Sequence, residues 1–486
     1  MEKKYQFCTL RKLLQKLGVL QVVWFLIALF IGFQLISACS AQQAVILSLA
    51  VTQDEVQHWT PLIKQFNDKY QNNIEIKLEN IEGDRLDGSD KLKKFLVDAF
   101  TKRKPTDLLL YLDIIWVPEF AARDWLMDLT REFPPQELKK DFLVNEVENG
   151  CYGGKNCEEG KLYRVPFRTD IGLLYYRKDL VQANKIPKTF DELKTISKEL
   201  QDKLRKTQKD SDFWGYLWPG KDESLVAMFT EVLHGHGGYW IKNQKVELDQ
   251  QQTLVGLDQQ QALDAVKFLR NTIDNNISPP NYANFLEEDL LEKFIAGKAV
   301  FMRNWPFVWA KGHETGSKVS GKIGIIPMVH VNQITSGLCK GGWGFGVAKH
   351  TKHRNEAIKA IKFFTSAPIQ RQFTLNYGSV PSRRRLFFDP KIITRYRHYP
   401  QLLNWMDSDI KKGATTEWIP RPRIPQYTQA SCILQKYLKE ALRSDDEEVI
   451  KKMMGTAAQE TRELLSKKTQ ESLDTETLKC ETASKN

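Results

Sequence analysis

Residues 44–51 read Ala-Val-Ile-Leu-Ser-Leu-Ala-Val, a mostly apolar, β-prone run of strand length. The segments after it decide how that strand is used. Trp59, Leu62, Ile63, Phe66 and Tyr70 recur at helical spacing and predict an amphipathic helix. Ile74, Ile76 and Leu78 then alternate like a half-exposed strand. Residues 91–100 read as helix, and Asp107–Leu112 as a buried strand. Strand, helix, strand, helix, strand predicts an α/β lobe on a mainly parallel sheet.

Further along, Tyr163–Tyr176 carries two strand-like stretches, split at Arg168-Thr169-Asp170. Thr189 and Glu192 have capping-box spacing ahead of a helix bearing Leu193, Ile196, Leu200 and Leu204. Residues 258–274 and 285–296 read as helices, and Lys322–Pro327 as a short strand. Gly341-Gly342-Trp343-Gly344 opens a strand through Ala348, and Asn355–Phe364 is a helix. From Cys432 onward the chain is mostly helical, and residues 471–486 form a polar tail. No internal repeat or long linker separates the halves.

The first 38 residues have their own logic. Lys3, Lys4, Arg11, Lys12 and Lys16 precede an apolar run from Leu17 to Ile36, then Ser37, Ala38 and Cys39. A basic region, an apolar region and small residues make a secretory signal. A cysteine directly after them resembles the bacterial lipobox, which implies lipidation of Cys39 and a chain tethered to the membrane outside the cytoplasm. An uncleaved anchor is the alternative, because about 20 apolar residues can span a bilayer. No later stretch is long enough to do so.

The remaining 448 residues suit two lobes better than one core. The formal charge is +11, and the leader's five basic residues and one acid leave about +7 on the rest. That diffuse excess suits a protein beside an anionic membrane. No Arg-rich run with interleaved aromatics points to nucleic acid. Among the seven cysteines, Cys151 and Cys157 bracket Tyr-Gly-Gly-Lys-Asn, a loop that an oxidising compartment can close as a disulfide. Cys339, Cys432 and Cys480 have no evident pairing.

Several segments together resemble the extracytoplasmic sugar-binding proteins of ABC importers, family 1 solute-binding proteins of the trehalose/maltose-binding type. They include Asp113-Ile-Ile-Trp-Val-Pro-Glu-Phe-Ala-Ala and Val165-Pro-Phe-Arg-Thr-Asp170-Ile-Gly-Leu-Leu-Tyr-Tyr-Arg-Lys-Asp-Leu. Trp214-Gly-Tyr-Leu-Trp-Pro-Gly-Lys, Arg303-Asn-Trp-Pro-Phe-Val-Trp, Gly341-Gly-Trp-Gly and Arg421-Pro-Arg-Ile-Pro complete the set. The resemblance implies a two-lobed α/β periplasmic-binding-protein fold (type II) with an interlobe ligand cleft. It implies crossings near Val165–Phe167, Pro327–His330 and Asn376–Pro381. The N-terminal lobe would combine residues 44–165 with 330–377, and the C-terminal lobe 166–329 with 378–470. Hinge closure on ligand is the expected motion.

The resemblance also implies a site. A sugar offers hydroxyls at its rim and C–H faces above and below. Carboxylates accept the hydroxyl hydrogens, guanidinium donates in a fork, and aromatic rings cover the faces. Asp113, Asp170 and Arg421 match ligand groups; the plainer readings are a helix N-cap, a turn residue and a surface ion pair. Trp305 matches a stacking residue, and Phe307 stands where the family often has tyrosine; core packing is the alternative for both. Gly341 and Gly342 would let the backbone approach the ligand, with Trp343 as platform, or else simply begin a strand. Glu55 and Gln57 lie where the family places an acid; Gln57 aligns better, yet it is an amide. Trp116 and Arg168 are outer candidates.

The expected function is capture of a neutral disaccharide or small glycoside (trehalose, maltose, sucrose or glucosylglycerol) for a permease with a separate ATPase. The protein is expected to be a monomer, with no cofactor, no metal and no catalysis. A glycoside hydrolase would also have paired acids and aromatic platforms, and a non-transport lipoprotein is the other alternative. His234-Gly-His236 lacks a third ligand nearby and reads as a solvated loop. Asp84, Asp87 and Asp90 lack EF-hand spacing.

Overall fold

The computed structural model describes residues 44–71, 73–79, 88–102, 107–246, 250–407 and 415–467. The leader with Cys39, the pair Asp84 and Asp87, and the tail from residue 471 lie outside the described residues.

Two sheets organise the molecule. In the larger, the strand order is Val380–Pro381, Val165–Ile171, Ser336–Val347, Leu108–Asp113, Val45–Leu49, Ile74–Leu78. The last three are mutually parallel, and the long strand Ser336–Val347 runs antiparallel to Leu108–Asp113 and to Val165–Ile171. The smaller sheet has the order Ile323–Ile326, Leu173–Arg177, Ala299–Asn304, Trp214–Leu217.

The helix Val56–Lys69 buries its apolar stripe on the large sheet. Trp59 is wholly buried, with ring contacts to Tyr111, Phe167, Phe345, Phe364 and Phe373. A fully buried aromatic side chain of this size contributes about 1.5–3 kcal/mol or more. In the region of the smaller sheet, Thr189 caps the helix Phe190–Gln208: its hydroxyl accepts the Glu192 N–H at 3.3 Å, and Glu192 accepts the Thr189 N–H at 3.2 Å.

The passages between sheets come later along the chain than the sequence suggests. Arg168-Thr169-Asp170 does not split two strands, because Val165–Ile171 runs unbroken between Ser336–Val347 and Val380–Pro381. The break falls at Gly172. A Cβ there would collide with the Glu231 carboxylate, so only glycine fits. Residues 330–331 still bond to the region of the smaller sheet, His330 N–H to Lys188 and Val331 N–H to Gly235. The second passage is instead made by the long strand, which begins at Ser336 rather than Gly341. Its first residues pair with Thr416–Ile419, and from Lys340 it joins the large sheet. The two passages touch, since Gly172 N–H donates to the Cys339 carbonyl at 3.1 Å. Thus residues 166–171 and 380–381, expected in the C-terminal lobe, belong by hydrogen bonding to the large sheet.

Cys151 and Cys157 are joined in a disulfide with a Cα–Cα distance of 5.3 Å. Cys339 is a buried free thiol, and Cys432 is disulfide-bonded. His234 and His236 are not in a solvated loop. They lie in and just after the last turn of the helix Asp222–Gly235, partly buried. His234 meets Thr335 at 3.1 Å, and His236 meets the Val232 carbonyl at 2.8 Å. Among the described residues no group of three or more metal-ligating side chains gathers.

Candidate functional site: an interlobe carboxylate–aromatic cluster

The site grows out of strand register. Trp343 on the long strand stands opposite Asp113 on one side and Arg168 on the other. Residues opposite one another in neighbouring strands share a face, so Asp113, Trp343 and Arg168 form one row. One step along, Gly341 stands opposite Asp170. Tyr111, two residues before Asp113, lies under the row. Its ring stacks on Trp343 with centroids 4.8 Å apart, and Trp116 meets Trp343 edge-on at 5.3 Å.

Arg168 ties the row to the start of the first helix. Its Nη2 donates to Glu55 at 2.6 Å, its Nη1 to Asp170, and its Nε to the Tyr111 hydroxyl at 3.0 Å. The other Glu55 oxygen accepts the Trp59 indole N–H at 2.9 Å. Arg421 occupies the far end. It lies 3.7 Å from Asp113 through Nη2 and donates to Glu223 at 2.8 Å through Nη1. Asp113 is also the N-cap of the turn that follows it, accepting the Ile115 N–H at 3.2 Å. The helix N-cap named as the plainer alternative is therefore formed.

Trp305 comes from the other sheet, directly after the strand Ala299–Asn304. It is fixed from several sides. Its indole N–H donates to Glu287 at 2.8 Å, its carbonyl accepts the Tyr175 hydroxyl at 2.8 Å, and the Arg303 guanidinium lies 4.1 Å from its ring centre. A Cβ added to Gly341 would fall 3.5 Å from the Trp305 ring and 2.9 Å from the Asp170 side chain. Trp305 thus lies at ordinary van der Waals range of this position, and it is the Asp170 side chain that leaves no room for a Cβ at Gly341. Phe307 is half-buried at the margin and stacks on Tyr377 at 6.4 Å.

Two residues behave differently from expectation, and for a third the plainer alternative fails. Gln57 is exposed, and its amide meets the His58 ring at 3.2 Å; the buried acid is Glu55. Gly342 faces the opposite side of the sheet, where a Cβ would strike the Glu146 carboxylate. Arg421 is buried, not a surface ion pair. Two contributors went unseen in the sequence, Tyr111 and Glu223. Glu223 gives only the signal of an acid in a helix's first turn, which is common.

Four carboxylates (Glu55, Asp113, Asp170 and Glu223) surround two guanidiniums in this buried cluster. Burial pushes the Asp170 carboxyl up to about 7, with Glu55, Asp113 and Glu146 acting in the same direction against the pull of Arg168. Burial likewise raises Asp113, opposed by Arg421 and the Ile115 N–H. Burial disfavours the charge on both arginines, yet the surrounding acids and phenols hold each well above its ordinary range. The surplus of acceptor oxygen suits hydroxyl hydrogens, and the aromatic rings suit sugar C–H faces.

Comparison with known proteins gives the family. Residues 50–371 match the family model for bacterial extracellular solute-binding proteins. A Deinococcus radiodurans protein described as a "Probable ABC transporter-binding protein" is 30% identical over 317 residues, covering 64% of this chain and 71% of that one. The maltodextrin-binding protein MdxE of Bacillus subtilis is 24% identical over 231 residues, 46% of this chain and 51% of that one. Among solved structures, maltose-bound MalE3 of T. maritima superposes with a TM-score of 0.73 at 28% identity, covering 87% of this chain and all of that one. The chain belongs to the bacterial extracellular solute-binding protein family. It has the two-lobed α/β fold of type II binding proteins and is an extracytoplasmic solute-binding component of an ABC importer, not an enzyme.

Proposed function

We propose that the chain captures a neutral disaccharide or small glycoside between its lobes and hands it intact to the permease. The observation that carries this reading is the row Asp113–Trp343–Arg168 on one sheet with Trp305 brought against Gly341 and Asp170 from the other. In this reading Trp343 and Trp305 cover sugar faces. Asp113 and Asp170 accept hydroxyl hydrogens, Arg421 donates, and Glu55, Arg168 and Trp116 hold the row in place. Phe307 lines the margin, where it keeps a ring but lacks a tyrosine's hydroxyl. Maltose in MalE3 and maltodextrin in MdxE support a glucose-containing ligand. The two lobes turn about Gly172 and the long strand near Lys340.

Lipidated Cys39 tethers the protein to the outer surface of the cell membrane, where it acts as a monomer beside the permease. The diffuse positive charge suits that surface. Cys39→Ala should release the protein or leave the precursor unprocessed. An unmodified Cys39 within an intact leader, seen by mass spectrometry, would remove the tether from the proposal.

The decisive test is a thermal-shift panel of residues 40–486 against trehalose, maltose, sucrose and glucosylglycerol. A ligand present at 100 times its Kd adds about 2.7 kcal/mol of stability. Absence of a shift with every glycoside would overturn the assignment of ligand class.

A further inference from the structure

The first turn of the helix Asp222–Gly235 carries a carboxylate whose hydrogen bonds are all internal. Glu223 Oε1 accepts from Arg421 Nη1 at 2.8 Å and from the Tyr427 hydroxyl, and Oε2 accepts from Ser431 Oγ at 2.6 Å. The side chain is buried, and most of its acceptor capacity, roughly four lone-pair positions, is already taken. Arg421 is differently placed. One arm is held by Glu223 and the other lies toward Asp113 at 3.7 Å, while its buried Nε has no hydrogen-bond partner among the described residues. A buried donor without a partner is costly and calls for an explanation.

We propose that Glu223 is a positioning residue for ligand recognition. It clamps the Nη1 arm of Arg421, so that with Nη2 turned toward Asp113 the Nε–H is presented to a hydroxyl oxygen of the bound glycoside. This inference rests on the glycoside reading above. A guanidinium is a planar fork, so fixing one arm fixes the direction of the remaining donors. A hydroxyl is the group that fits the gap, since it can accept from Arg421 and donate its hydrogen to Asp113 at once. A carboxylate ligand would face Asp113 and Glu223 and be repelled. The arrangement therefore selects neutral sugars over sugar acids, and a hydroxyl over its deoxy analogue, which would leave the Arg421 Nε–H without an acceptor.

The test is a double-mutant cycle on the full chain, read by calorimetry with whichever glycoside of the panel binds the parent. Glu223→Gln should weaken binding on the order of tenfold. In an Arg421→Ala background the same change should cost nothing further, because the group through which Glu223 acts is gone. Ser431→Ala, a milder change, should weaken binding several-fold and also fall silent beside Arg421→Ala. If Glu223→Gln fails to fold, the Ser431→Ala cycle decides alone. Additive losses, with the parent binding well, would overturn the positioning role and leave the glycoside site standing. A parent that binds none of the panel would overturn both.

Discussion

Arg164 and Arg303 are buried without any exposure, and each hydrogen-bonds the carboxylate of one acid, with Glu287 lying 3.6 Å from Arg303 as well. Arg303 grips Glu231 with a fork of 2.9 and 2.6 Å, and Arg164 meets the Glu146 carboxylate at 3.0 Å and spends its other nitrogens on the Glu146 and Leu112 carbonyls. Arg168 and Arg421 stand close by with slight exposure, and each is shared between two carboxylates. The difference separates scaffold from site. A guanidinium without any exposure is closed to newcomers. A cluster with more acids than bases keeps oxygen lone pairs available, which is what a hydroxyl-rich ligand exploits.

The most forceful way to test that division is to break a scaffold pair. Glu231→Ala takes both hydrogen bonds of its fork from Arg303 at zero exposure, leaving Glu287 at 3.6 Å, and also removes the acceptor of the Cys339 N–H beside the Gly172 passage. A loss of about 3–5 kcal/mol is expected, read by urea denaturation of the ligand-free protein. A loss below about 1 kcal/mol would mean that this pair is no more structural than those of the site.

On the site side, Trp343→Ala removes the platform at the centre of the row. Glycoside affinity should fall by about 1–3 kcal/mol, from the apolar surface that a large side chain covers, as measured by calorimetry. Tyr111, left without its stacking partner, should lower thermal stability as well. Unchanged affinity would move the sugar away from the row.

Asp170 separates the two regions through pH. Its carboxyl is raised from an ordinary 3.8 to about 7 by burial and neighbouring acids. The native state therefore holds this proton more tightly than the unfolded chain does. The contribution to stability is most favourable below about pH 4 and declines as pH rises toward 7. Ligand affinity should run the opposite way, because the ionised carboxylate is the better acceptor of hydroxyl hydrogens. Affinity should rise by up to about tenfold per pH unit on approach to 7, then level off. Asp170→Asn should flatten that profile and weaken binding at pH 8. Affinity independent of pH in the parent would place Asp170 among the scaffold residues.

How much of this was legible beforehand depended on where the physical cause lay. The strands of the large sheet declared themselves through local apolar pattern, as at Val45–Leu49 and Leu108–Asp113. Arg168-Thr169-Asp170 misled because three polar residues in a row look like a turn. They lie inside a strand because Glu55, Glu146 and Tyr111, all distant in sequence, satisfy their polar atoms. Ser336–Lys340 escaped notice as strand because its partner, Thr416–Ile419, comes much later in the chain. Glu223 stayed hidden because its helix is buried almost all round, so no periodic stripe marked it. Its partners lie about two hundred residues away.

The smallest expected effect sharpens the comparison most. Glu55 and Gln57 compete for one expected role, and Gln57 has the better alignment. The structure separates them by environment. Glu55 is buried, with Arg168 at 2.6 Å and Trp59 at 2.9 Å, whereas Gln57 is exposed and touches His58. An exposed amide already hydrated by water gains little on losing or keeping a neighbour, so Gln57→Ala should change glycoside affinity and stability by no more than about 0.5 kcal/mol. Glu55→Gln should do more despite its smaller change in shape. It removes a charge that balances Arg168 and leaves an amide N–H facing either that guanidinium or the Trp59 indole, both of them donors. Calorimetry on the two variants, side by side, tests the assignment. If Gln57→Ala proves the costlier, the first helix turns toward the ligand when the lobes close. Gln57 would then take a place at the ligand, with Glu55 still holding Arg168 and the row.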